Sequence, residues 1–343
     1  MVVEEIIIYG AVQGAVYALL ALGYSLVYGV GGILNLAHGA YYLVGVYAFY
    51  IITDMQIGVV YGYWLGMVIA LIGATSVGVV SYFLIIKPLK EFHISMLMGT
   101  FAIAFFCEQL AIVAVGPKYY TISTIFKDYV NIQLHYILII IVASIIIINL
   151  VIIFIKKFEY IKVHYISIFI VSLISVILIV IFKEKPQIVR LSVHWIIIII
   201  TSSIIVTLTI IFINKSKIGK SIRAVSQDRE AAMLMGINAD RTLMYTIMIS
   251  AFLAGIAAIL YAPLDVVAPF KGWPVLTSAI AVVILGGMGS VPGSVIGAFI
   301  IGYARIATDY LIDPVYSSLV PVIIIILILI FRPQGLFGKK EIS

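Results

Sequence analysis

Residues 214–241 read NKSKIGKSIRAVSQDREAAMLMGINADR. Nine of them, from Lys215 to Arg241, carry charge, and apolar residues dominate for long stretches on either side. So polar a stretch does not lie in hydrocarbon, where a charge is costly and nothing solvates it. It is read as a water-facing loop between membrane spans.

The rest of the chain supports that reading. Its 343 residues are 64% hydrophobic and 10% charged, against about 25% charged in ordinary soluble domains. A bilayer core of about 30 Å takes roughly 20 apolar residues in a helix. On that measure the candidate spans are 6–29, 40–55, 62–86, 94–115, 136–155, 164–182, 193–213, 242–261, 276–290, 292–311 and 315–331. The expected fold class is all-α, a polytopic transmembrane helical bundle of about 10–11 spans. Spans 40–55 and 276–290 are short and glycine-punctuated, which marks them as broken or re-entrant helices. No linker or internal repeat divides the chain, so 1–343 reads as one transmembrane domain.

The net charge of +6 reports basic loops rather than nucleic-acid binding. The loops at Lys87–Lys90, Lys156–Lys162, Lys215–Arg241 and Arg332–Lys340 are basic and are expected on the cytoplasmic side. Loops near Asp54, Asp128, Glu184 and Asp265 carry less positive charge, Lys183 and Lys185 being exceptions. Eleven spans then place the N-terminus outside and the C-terminus in the cytoplasm of a cell-membrane protein; one re-entrant segment changes the parity and moves a terminus, the basic C-terminal tail being the better-anchored end. The first 29 residues carry Glu4 and Glu5 instead of a basic leader and read as a true span. Cys107 is the single cysteine, which leaves no disulfide framework or cysteine metal site within the chain. Residues 10–80 and 255–302 are rich in small residues that let membrane helices approach closely, whereas 137–213 are dominated by Ile and Val. The packed core is expected in the first and last thirds, with the Ile-rich spans facing lipid.

Three constellations could carry function. Within the charged loop, Glu230 to Met235 are good helix formers and Gly236 is a natural stop. Ser226 is the expected cap, and Asp228 and Glu230 suit the first turn. The result is a cytoplasmic helix of two to three turns with Ala231, Leu234 and Met235 on one side. It is either a contact surface for another protein or a solvated loop helix. Gly219-Lys220-Ser221 resembles the end of a phosphate-binding loop, but the glycine required at 214 is Asn214, so nucleotide hydrolysis by this chain is not expected.

The second constellation is YGVGGILNLAHG, Tyr28 to Gly39. Asn35 and His38 share a face if the segment is helical. A glycine-broken helix frees backbone groups that are tolerated at membrane depth only in protein or beside a cavity. The segment is a substrate path or gate hinge, or else a turn with a structural Asn and His. The third is LGGMGSVPG, Leu285 to Gly293, a sharp re-entry between helices that includes Gly286, Gly287 and Gly289. Among intramembrane polar residues, Glu108 and Gln109 lie late in their span, and Arg305 and Asp309, four apart, are expected to form an ion pair. No His/Asp/Glu cluster, metal-ligand spacing or cofactor pattern stands out.

The chain resembles the permease subunits of branched-chain amino acid ABC importers, of the LivH type. The stretch YALLALGYSLVYGVGGILNLAHG from Tyr17 is close to that subunit's signature. RAVSQDREAAMLMGIN from Arg223 matches the family's coupling loop, with its Glu-Ala-Ala-x-x-x-Gly pattern at Glu230 to Gly236. Leu285–Gly293 and the tail RPQGLFG from Arg332 follow in the family order. The likeness covers roughly residues 1–116 and 214–338.

The resemblance implies that Arg223, Gln227, Asp228, Glu230, Ala231, Ala232 and Gly236 dock on a separate ATPase. It implies a path or gate at Tyr28, Asn35, His38, Gly39, Gly286, Gly287 and Gly289. The partners it implies are a sister permease, two ABC ATPase subunits and an extracytoplasmic substrate-binding protein. This chain departs from the family in two ways. Residues 117–190 hold an extra length of about two spans, 136–155 and 164–182. Ser278 stands where the family usually has lysine, and Arg305 where it has an acidic residue, so the amino acid carried is an expectation. Competing classes are a secondary transporter or channel, which calls for mid-membrane acids, and a membrane enzyme, which calls for a clustered polar site. Few such acids and no such cluster are found.

Overall fold

A computed structural model describes residues 2–55, 58–126, 128–133 and 188–338. In chain order, α1 is Val2–Gly31, α2 is His38–Asp54, α3 is Val59–Ser81 and α4 is His93–Val115. A π turn at Tyr82–Ile86 and a short helix at Lys87–Leu89 prolong α3. Next come β1 (Tyr129–Gln133), β2 (Ile188–Ser192), α5 (Val193–Lys215), α6 (Lys217–Gln227), α7 (Arg229–Leu234) and α8 (Ala239–Tyr261). Last are α9 (Gly272–Gly286), α10 (Val291–Leu311) and α11 (Val320–Phe331). Each expected span among the described residues has its helix, and seven helices are long and apolar enough to cross a membrane. The protein is an all-α, multi-pass membrane protein.

Spans 136–155 and 164–182 lie outside the described residues. The flanks of residues 134–187 form one small departure from pure helix. β1 and β2 pair antiparallel, Tyr129 opposite Ser192 and Gln133 opposite Ile188, so the chain leaves and returns at neighbouring positions.

Small residues set the packing. In α1, 83% of the apolar window is buried, against 22% in α5. α1 is the central post, packed on α8, α9 and α10, and α5 is peripheral, as its Ile-rich composition predicts. α3 and α4 are also peripheral, at 33% and 28%, although they belong to the first third of the chain. α1 meets α10 glycine to glycine, since a Cβ on Gly302 would come within 2.6 Å of the Gly14 backbone. α1 meets α8 where a Cβ on Gly23 would come within 3.0 Å of the Ser250 backbone. Lipid tails offer no hydrophobic drive between helices, so such close approach supplies the dispersion contacts that hold them together.

The chain between α1 and α2 is not helical. It runs from Gly31 to His38, whose Nδ1 lies 3.1 Å from the Oγ of Ser250, the central residue of α8. Residues 32–37 therefore run from the end of the bundle, where Gly31 faces Leu243 near the start of α8 and Gly32 and Leu34 are exposed, inward to the level of Ser250, and α2 starts near the middle of the bundle. Irregular backbone there must be satisfied by protein. Thr100 of α4 accepts from the Leu36 amide at 3.2 Å, and the Asn35 side chain accepts from Ala37 at 3.0 Å. The second short span is an uninterrupted helix, α9, shifted toward the N-terminus of the expected 276–290. It ends at Gly286, and the turn follows.

Candidate coupling surface and path

α6 begins on Ser216, whose Oγ accepts from Gly219 at 2.8 Å. Arg223 clamps α6 to the end of α5, its two guanidinium nitrogens donating to Asn214 Oδ1 at 3.2 Å and Asn214 O at 3.1 Å. Gln227 closes α6 and is exposed. α7 follows after one residue, Asp228, whose Oδ1 accepts from the Ala231 amide at 2.9 Å.

The expected cap, Ser226, is not the cap. It lies inside α6, where its hydroxyl donates to the Arg223 carbonyl at 2.9 Å. Both residue types cap well, and the chain breaks at Asp228 because its extended backbone, φ −154°, separates the two helices. α7 is accordingly six residues long, shorter than the two to three turns expected.

Gly236 ends α7 as the sequence indicates. Its φ of +83° is a left-handed conformation. The Gly236 amide donates to Met233 O and the Ile237 amide to Ala232 O, both at 3.0 Å, which is the Schellman arrangement of a helix stop. Ala232 faces inward at 5% exposure, while Glu230 and Ala231 are exposed and Leu234 and Met235 project at 88% and 83%. The result is a short, doubly capped helix with an apolar tip. Behind it, Asp240 in the first turn of α8 meets Lys90 at 2.7 Å and Arg229 at 3.5 Å.

The glycine motifs converge on this end of the bundle. Gly29 lies against Gly289, a Cβ on it coming within 3.4 Å of the Gly289 Cα and 4.0 Å of the Ser226 Cβ. Tyr28 beside it is partly buried. Gly287 and Gly289 have φ of +97° and +80° and reverse the chain between α9 and α10. The tail docks on the same turn, with the Leu336 amide donating to Leu285 O at 2.8 Å and the Phe337 amide to Gly286 O at 3.1 Å. Gly29 and Gly289, far apart in sequence, thus meet beside α6, and the tail packs on the same turn.

Asn35, His38 and Gly39 are not part of this convergence and lie deeper. Asn35 is in the non-helical segment rather than on one helical face with His38. Its Nδ2 donates to the Tyr41 hydroxyl at 3.0 Å, which lies 2.6 Å from Ser81 Oγ. His38 is fully buried between the rings of Tyr24 and Tyr41. Gly39 touches the backbone of Gly272, so the first turns of α2 and α9 meet.

The expected Arg305–Asp309 ion pair does not form. The Arg305 guanidinium donates instead to the Tyr17 hydroxyl of α1, which also accepts from Ser278 Oγ at 3.2 Å. A partner on a neighbouring helix displaced the one a turn away, and sequence spacing carries no signal of it. Sequence reasoning also missed Lys90 and Asp240, whose pairing joins loops 150 residues apart.

Over residues 6–329 the sequence matches the family described as "Branched-chain amino acid transport system / permease component". It is 27% identical to the high-affinity branched-chain amino acid transport system permease protein LivH of Escherichia coli, over 97% of this chain and 95% of that protein. It is also 27% identical to the corresponding protein BraD of Pseudomonas aeruginosa, with the same coverage. A shorter match, 30% identical over 36% of this chain and 40% of the relative, is to the ribose import permease protein RbsC of Haemophilus influenzae. No solved structure matches. With the match running from within α1 to within α11, this chain belongs to the family of permease components of branched-chain amino acid transport systems.

Proposed function

We propose that this chain forms one half of the translocation path of an ABC importer for branched-chain amino acids. Separate ATPase subunits drive it, a sister permease completes it, and a binding protein delivers the substrate from outside. The observation that carries the reading is α7. A helix of six residues capped at both ends, with Leu234 and Met235 almost fully exposed, is shaped to fill an apolar groove on a soluble protein. Asp228 and Gly236 fix its ends, Arg223 fixes its base, and Gln227, Glu230 and Ala231 flank the tip. Ala232 packs beneath.

The gate is assigned to the convergence of Tyr28, Gly286, Gly287 and Gly289 beside α6, where motion of the docked helix reaches α1, α9 and α10 directly. Asn35, His38 and Gly39 are assigned to the deeper wall of the path. The basic residues Lys215, Lys217, Lys220 and Arg223 support a cytoplasmic assignment for this end of the bundle and, with it, for the C-terminal tail.

The test is co-purification of this chain with the ATPases, second permease and binding protein encoded beside it, followed by an ATPase assay. A stable complex stimulated by binding protein loaded with leucine, isoleucine or valine is expected. A chain that purifies without ATPase overturns the reading.

A further inference from the structure

Glu108 is a carboxylate inside a membrane span, seven residues short of the end of α4 and 5% exposed. Its neighbour Gln109 faces outward. Among the described residues no ion pair reaches Glu108. Its hydrogen-bond partner is neutral, the indole N–H of Trp273 in the first turn of α9, which engages Oε2 and leaves Oε1 available. A membrane-buried carboxylate held by one neutral donor is costly to keep and is a functional candidate on that ground.

Glu108 lines a cavity where α2, α4 and α9 meet, at the contact of Gly39 with Gly272. Apart from Glu108 and Trp273, its walls are apolar and include Leu36, Leu43, Ala104 and Leu276. The space holds about one water-sized group. The cavity is therefore acidic at one point, apolar around it, and matched in size to a single small cation.

We infer that Glu108, oriented by Trp273, is the subsite that receives the ammonium group of the substrate during translocation. This rests on the amino-acid reading above. A primary ammonium has three donors and a compact charge, and docking on Oε1 supplies the counter-ion that Glu108 lacks. Leu36, Leu43 and Leu276 supply the surface an aliphatic side chain prefers. The ammonium fits the cavity as it stands, while the side chain enters only when α2, α4 and α9 separate, as alternating access requires. Trp273 acts as a positioning residue, holding one carboxylate oxygen so that the other meets the ligand.

The assembled importer in proteoliposomes tests this with radiolabelled leucine. Glu108→Gln keeps the shape and removes the charge, and uptake is expected to fall about tenfold or more, the scale of a lost charge-assisted hydrogen bond. Glu108→Asp, which restores a carboxylate, is expected to recover part of that loss. Trp273→Phe is expected to lower kcat for uptake several-fold while leaving the apparent KM for loaded binding protein nearly unchanged, since the subsite acts after delivery. Uptake by Glu108→Gln at the wild-type rate overturns the inference. If that variant does not assemble, Glu108→Asp and Trp273→Phe decide, and wild-type kinetics in both overturn it. Wild-type importer that takes up none of leucine, isoleucine or valine fails at the earlier step, the amino-acid reading itself, and the inference falls with it.

Discussion

Lys90 Nζ and Asp240 Oδ2 lie 2.7 Å apart, and the same carboxylate reaches Arg229 at 3.5 Å. One acidic residue at the start of α8 therefore holds both the loop after α3 and the base of α7. The Tyr82 hydroxyl adds a second tie, donating to the Asp240 carbonyl at 2.8 Å. Both ends of the Lys90 pair are about one-third exposed, so the pair contributes roughly 0–1 kcal/mol to stability. On the proposed coupling role of α7, the pair acts in transmission, since a moving α7 would pull on α3 and α8 together. Asp240→Asn is expected to leave thermal stability nearly unchanged while uptake per ATP hydrolysed falls several-fold. Parallel ATPase and uptake assays check this, and unchanged stoichiometry refutes it.

Gly236 holds α7 closed through a backbone conformation that other L-residues enter at a cost of about 1–2 kcal/mol. No atom lies near its missing Cβ, so strain and not collision is the penalty. Gly236→Val is expected to fray α7 and weaken ATPase binding by about tenfold, on the scale of that strain. Asn tolerates the left-handed region better, so Gly236→Asn is expected to bind nearly as wild type. The order of the two variants in a pull-down with the ATPase is the measurement.

The contact of Gly14 with Gly302 makes the opposite prediction, one of collision. A Cβ at 302 meets backbone atoms of α1 at 2.6 and 2.8 Å, and backbone has no rotamer in which to escape. Gly302→Val is expected to force α10 away from the central helix and to abolish the monodisperse peak in detergent. A substitution such as Val322→Ala on α11, where the side chain is exposed, leaves that peak intact.

Local features were legible in the sequence, and tertiary choices were not. The charged loop, the Gly236 stop and the turn at Gly287–Gly289 rest on residue types whose conformational preferences act within a few positions. The boundary between α6 and α7 depended on which of two good capping residues, Ser226 or Asp228, the extended backbone selected, and composition does not distinguish them. Arg305 had a partner in reach along its own helix and took Tyr17 on another. The meeting of Gly29 with Gly289 and Ser226 joins three segments that local preference treats separately, and the family motifs marked each segment without showing that they touch. Asn35 and His38 were paired by a helical spacing that does not apply, because the chain between Gly31 and His38 is irregular.

That irregular segment gives the last prediction. After the Gly32 amide, which still donates to Tyr28 O at 2.8 Å, its backbone leaves the helical pattern and runs into the bundle, and Asn35 holds it in place through Tyr41. The Tyr41 hydroxyl bridges Asn35 Nδ2 at 3.0 Å and Ser81 Oγ at 2.6 Å, joining the segment to the end of α3. Tyr41 is fully buried, so Phe in its place keeps the packing and leaves Asn35 without its acceptor. Interhelical hydrogen bonds in membranes contribute modestly, because the separated helices find other partners, and the loss is expected at about 1–2 kcal/mol. Tyr41→Phe should therefore fold and assemble with a slightly lowered melting temperature. Its larger effect falls on gating, since a looser 32–37 segment no longer fixes where α2 begins. Basal ATPase in the absence of binding protein is expected to rise relative to the stimulated rate. If Tyr41→Phe lowers stability by several kcal/mol and leaves that ratio unchanged, the bridge is a folding element and the segment does not act as a hinge.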